Sequence, residues 1–147
     1  MREIEFRGKA ISNGQWVYGS LLIENNRYYI GNYTHCISGD KIINNIRTQG
    51  KTTNRYKMFG LVEVDPETVG QYTGKLNCKA NKIFEKDIVK GIRRTNQYEE
   101  YEYFEVKFHN GCFMAGNFNM HEFFDKFSHK EVIGNIYDNP ELLEKED

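Results

Sequence analysis

Between Val64 and Lys90 the sequence reads VDPETVGQYTGKLNCKANKIFEKDIVK, and its turn signals recur so often that only short elements fit between them. Asp65 before Pro66 is a cap followed by a first-turn residue: the short carboxylate accepts orphan backbone N–H groups, and proline presets φ for one helical turn. Glu67 suits the positive end of that turn. The turn stops quickly, because Thr68 and Val69 are β-branched and Gly70 follows. Gly70 and Gly74 bracket Gln71, Tyr72 and Thr73, which predicts a change of direction around one aromatic anchor. Ile83, Phe84, Ile88 and Val89 are apolar, with Glu85, Lys86 and Asp87 as a polar corner between them. The stretch reads as turn, anchor, loop, strand.

In these segments the chain resembles the YopX family of phage and prophage proteins. The resemblance rests on Thr68 to Gly74 (TVGQYTG) and on Ile83 to Val89, which stands where the family has a strand entry of the type I-Y-E-G-D-I-V. The opening MREIEFRGKAISNGQWVYGSL and the closing VIGNIYDNPELL, Val132 to Leu143, are similar as well. This chain departs from the pattern at Ala80 and Lys86, where the family usually has glycine, and at Asn77, where it usually has aspartate. The resemblance implies a mostly β fold and a mobile-element origin, and no established activity.

The chain has 147 residues, about one domain's worth. Its 10 Tyr and 10 Phe mean that large, half-buried rings supply much of the core, which favours sheets. Lys plus Arg number 20 against 21 Asp plus Glu, so no global field draws the protein to nucleic acid or acidic lipid. Charges alternate with apolar residues in Met-Arg-Glu-Ile-Glu-Phe-Arg, unlike the apolar core of a signal peptide. No segment approaches the roughly 18 apolar residues of a membrane span, so the expected compartment is the bacterial cytoplasm. Cys36, Cys78 and Cys112, odd in number and widely spaced, fit reduced thiols rather than a disulfide framework.

Around Ser12-Asn13-Gly14, Ile4, Phe6, Trp16 and Tyr18 alternate with period two, predicting an antiparallel pair. Leu21 to Ile23 continues it, Asn25-Asn26 turns, and Arg27 to Ile30 returns. Residues 31–58 are polar and poor in pattern, a long loop or insert. Gly60 to Val64, Asp87 to Ile92, Tyr101 to Phe108 and Cys112 to Phe118 are predicted strands, the last two joined at Asn110-Gly111. One amphipathic helix follows: Asn119 caps, Glu122 completes a capping box, and Met120, Phe123, Phe124 and Phe127 share a face. Val132 to Tyr137 is a closing strand, and Asn139-Pro140-Glu141 begins a short terminal helix. The fold expected is mainly β: an antiparallel β unit over 1–63 and an SH3-like roll or small barrel over 64–147, with the helix lying across it.

Candidate metal ligands are His35-Cys36 and His109 with Cys112, joined by His121, but isolated His and Cys residues are usually ordinary surface or core residues. Glu63, Asp65, Glu67, Glu85 and Asp87 match no catalytic spacing, and each has a local role as cap, edge charge or corner. No nucleophile-and-base pattern or phosphate-binding glycine loop is present. The expectation is therefore a protein without enzymatic activity, cofactor or metal.

Charge segregation is the feature that bears on function. From Lys41 to Val62 there are Lys41, Arg47, Lys51, Arg55 and Lys57 and no acidic residue, with Tyr56 among them. Such a segment can follow a phosphate backbone and stack an unpaired base, or pair with the acidic run Glu99, Glu100, Glu102 and Glu105 in the same or a neighbouring subunit. Two classes follow: a self-assembling or partner-binding module, whose partner is a second copy or a phage or host protein, and a weak nucleic-acid binder using Lys41 to Lys57. Trp16, Tyr18 and Tyr72 are the expected core or interface anchors.

Overall fold

The computed structural model describes residues 2–31 and 60–144. The chain divides into two compact units, with the boundary between Gln71 and Tyr72.

In the first unit, β1 (Phe6–Lys9), β2 (Trp16–Glu24), β3 (Arg27–Gly31) and β4 (Leu61–Val64) form an antiparallel meander. Asn25 and Asn26 both take positive φ, 51° and 62°, between the paired ends Glu24 and Arg27. This is the two-residue hairpin whose backbone twist matches that of the strands it joins. The Asn13-Gly14 connection is wider: Ala10 N donates to Gln15 O, Gly14 takes φ 69°, and Asn13 Oδ1 accepts from Gln15 N. Beyond β4, Asp65 Oδ1 accepts from Glu67 N at 3.1 Å and caps the 3-10 turn Pro66–Thr68, as the Asp-Pro signal predicts. The buried Thr68 hydroxyl accepts from Lys9 N at 2.8 Å, tying the turn to β1. Ile30, Val64 and Ala10 are buried together with Gly8, at which a Cβ would stand 3.0 Å from that of Val64.

Strand β5 (Gly70–Leu76) begins in this unit, where Gly70 and Gln71 pair with β1, and its later residues belong to the second unit. The expected change of direction at Gly70–Gly74 is instead a strand. Tyr72 pairs with Phe84 of β6 (Lys82–Phe84), and the register then slips before Leu76 meets Lys82, with Gly74 at φ 88° inside the irregularity. The two glycines thus serve a kinked strand rather than a loop.

The second unit's main sheet has the order β10-β9-β8-β7-β11, all antiparallel, from β7 (Asp87–Arg94), β8 (Glu99–His109), β9 (Cys112–Ala115), β10 (Phe118–Asn119) and β11 (His129–Asn135). The predicted strand Cys112–Phe118 is two strands, because Gly116 turns the chain at φ 59° where a Cβ would press on Phe104. Helix α1 (Met120–Lys126) starts at the predicted cap, where Glu122 N donates to Asn119 Oδ1 at 2.8 Å; Glu122 Oε1 accepts from the Asn119 side-chain Nδ2 at 2.7 Å rather than from the backbone N–H of the expected capping box. Phe123 and Phe127 are fully buried against Val89, Val106, Ala115, Ile83 and Met120, with Phe104 meeting both rings edge to face. Gly91 lets the helix sit this close, since a Cβ there would lie 2.6 Å from the Phe127 ring.

The fold is mainly β, built from antiparallel sheets. The SH3-like roll expected over 64–147 is not what the pairing gives: among the described residues the sheet is open, with β10 and β11 as its two ends. A helix laid on one face covers the apolar side chains that a barrel would otherwise enclose.

Candidate functional site

The basic candidates Lys41, Arg47, Lys51, Arg55, Tyr56 and Lys57, and the pair His35-Cys36, lie outside the described residues. The other proposed metal ligands do not converge. Cys112 Sγ is 3.4 Å from His109 O and 3.4 Å from Met114 Sδ, while His121 sits on α1 beside Asp125 at 3.6 Å. Among the described residues no three His, Cys, Asp or Glu side chains form a metal-binding group. Three of the five carboxylates have local partners: Asp65 is the cap, Glu63 lies 4.0 Å from Arg27, and the buried Asp87 accepts from Phe84 N at 2.8 Å.

The three aromatic anchors differ. Tyr72 is buried against Phe84, with ring centroids 5.7 Å apart. Trp16 is half-buried, with Arg7 4.6 Å and Lys9 5.3 Å from its ring centroid, so cation–π contact holds it to the sheet. Tyr18 is 44% exposed and is not a core residue; period-two alternation places it on a face but does not say what covers that face. The acidic run of β8 has local partners. Glu99 pairs with Arg94 at 3.2 Å, Glu105 lies 3.9 Å from Lys107, and a hydrogen bond to Glu100 raises the proton affinity of the Tyr98 hydroxyl.

Among the described residues, one group of reactive side chains is one that the sequence did not signal. Asn77 Oδ1 accepts from Lys79 N and Asn81 N, both at 2.9 Å, and folds residues 77–81 into a tight loop. Cys78 N then donates to Lys130 O at 2.9 Å, bringing the loop to β11. Cys78 and His129, 51 residues apart in sequence, come together with Sγ 3.5 Å from Nε2. Glu131 Oε2 lies 3.8 Å from the same Nε2, and Glu131 Oε1 is 2.6 Å from Lys79 Nζ. That hydrogen bond and charge hold Glu131 below the ordinary carboxylate value and Lys79 above the ordinary lysine value. Lys130 points to the other face, where its Nζ donates to Phe124 O and Phe127 O at the end of α1. Burial there lowers its proton affinity.

A carboxylate that orients a catalytic imidazole bonds the nitrogen opposite the nucleophile. Here both Cys78 and Glu131 address Nε2, so the group is no catalytic triad. It is a cluster in which one ring nitrogen can exchange a proton with a thiol. An open recess of about 430 Å³ elsewhere is lined by Lys9, Ala10, Ile11, Gly14, Asp65 and Pro66 and gathers no such chemistry.

The family model described as YopX protein matches residues 5–144. The chain belongs to the YopX family. No curated protein matches it. It is similar to the crystal structure of protein EF1440 from Enterococcus faecalis, with 18% identity, a TM-score of 0.54, and 97% of this chain and 99% of that chain covered. At this identity the likeness speaks for the fold alone. Within the YopX pattern, both positions that depart from glycine have positive φ here, 61° at Ala80 and 71° at Lys86. At the third departure Asn77 Oδ1 accepts the two backbone N–H groups that a carboxylate oxygen would, while its Nδ2 is buried without a hydrogen-bond partner.

Proposed function

We propose that this YopX protein is a non-catalytic, self-associating module of phage or prophage origin that works in the bacterial cytoplasm. The observation that carries this reading is the apolar surface of the first unit, where Ile4, Ile11, Tyr18, Leu22 and Ile23 are 58%, 60%, 44%, 40% and 52% exposed. Tyr18 and Leu22 share one face of β2 and Ile23 lies on the other, and exposed apolar groups on a sheet face can serve as association surfaces. A second copy is the partner argued for, since a net charge of −1 raises little repulsion between identical chains. Sedimentation at micromolar concentration in low salt is expected to show a multiple of the 17.4 kDa chain, and Leu22→Lys with Ile23→Lys to return it to the monomer. A wild-type monomer under those conditions overturns the reading.

The acid-free run from Lys41 to Val62 favours a second reading, weak binding of nucleic acid through Lys41, Arg47, Lys51, Arg55, Tyr56 and Lys57. It requires an oligonucleotide to be retained at about 50 mM salt and released as salt rises. Retention that survives charge reversal at Arg47, Lys51 and Arg55 would remove it.

A further inference from the structure

The geometry points to Cys78 as a thiol-exchange site that forms a mixed disulfide with small disulfides, using His129 as the proton acceptor. Two observations carry it. The thiol is exposed, so a small molecule can reach it. Its Sγ lies 3.5 Å from a ring nitrogen able to take its proton. Exposed thiols beside an imidazole are the ones that react as thiolates.

In the step, the Cys78 proton moves to His129 Nε2. The thiolate attacks one sulfur of R–S–S–R, so that an Sγ–S bond forms as the S–S bond breaks. The departing RS⁻ takes the proton from the imidazolium. The balance is Cys78–SH plus RSSR giving Cys78–S–SR plus RSH, with the small disulfide as the oxidant.

Cys112 provides the contrast within the same chain. It is half-buried, and its Sγ faces a backbone carbonyl and the Met114 thioether rather than an imidazole. The test compares full-length protein with Cys36 and Cys112 replaced by Ser against protein with Cys36 and Cys78 replaced by Ser. Each is treated with 5,5′-dithiobis(2-nitrobenzoate), and the mixed disulfide is confirmed by intact mass.

The Cys78 chain is expected to react with this disulfide about tenfold faster than the Cys112 chain at neutral pH. His129→Asn and His129→Gln, checked for folding by circular dichroism, should each slow Cys78 severalfold. Equal rates for the two cysteines, or a Cys78 rate unchanged in both folded His129 variants, overturns the assignment.

Discussion

The two units use the same strand-and-turn grammar and differ in what covers their sheets. In the second, α1 presses Phe123 and Phe127 onto Val89, Val106 and Ala115, and edge-to-face rings fill the layer between helix and sheet. In the first, the described strands bury Ile30, Val64, Tyr29 and Ala10 but leave Tyr18, Leu22 and Ile23 at the surface. Apolar residues at sheet period therefore become core only where another element is laid over them. The second unit is organised around packing, and in the first, among the described residues, backbone pairing leaves these side chains exposed.

The sharpest way to break this comparison is to truncate one aromatic in each unit. Phe127→Ala should cost about 3–5 kcal/mol, and Tyr18→Ala within about 0.5 kcal/mol, read as shifts in the urea midpoint at constant slope. Similar losses would show that the first unit is packed as tightly as the second. Next comes overpacking at the helix–sheet contact: Gly91→Val should lose about 1–3 kcal/mol, because Phe127 must move to admit the branched side chain. A variant that melts like the parent would mean that α1 is loosely docked.

Smaller effects sharpen the picture locally. Asn119→Ala removes both bonds at the start of the helix and should lower stability by about 1 kcal/mol in thermal melts. Ala80→Gly should raise stability by roughly 0.5–1 kcal/mol, because relief of a left-handed backbone outweighs the added freedom of the unfolded chain. A lower melting temperature in that variant would count against strain at the site. The smallest effect expected is the pH dependence of the exposed Lys79–Glu131 pair. Glu131 binds its proton less tightly when folded, so its contribution is present above the ordinary carboxylate range and is lost as acid protonates it. Lys79 binds its proton more tightly when folded, so its contribution is present below the ordinary lysine value and fades as pH rises through the raised one. Lys79→Met should therefore flatten the stability profile slightly at both extremes.

Much of the local structure was legible because its causes lie within a few residues. The Asp65-Pro66 cap, the Asn25-Asn26 turn and the Asn119–Glu122 cap each depend on side chains and backbone groups close in sequence. The same reasoning misread Gly70 to Gly74, since glycine permits both a turn and a kinked strand, and pairing with Phe84 decided for the strand. The Cys78–His129 contact carried no sequence signal at all. Neither residue stands near another that hints at shared chemistry, and only the bond from Cys78 N to Lys130 O sets the loop against β11.

By itself, then, the sequence determined short antiparallel strands, one capped amphipathic helix and membership of a family recognisable from its first residues to its last. Periodicity and turn chemistry act over a few residues, and the chain carries both plainly. Tertiary structure alone decided that the second unit's sheet stays open beneath a helix, that Tyr18 faces outward while Tyr72 is buried, and that a thiol and an imidazole 51 residues apart share a proton's reach. Burial and long-range contact are set by what packs on a face, and no local pattern encodes the element that arrives there.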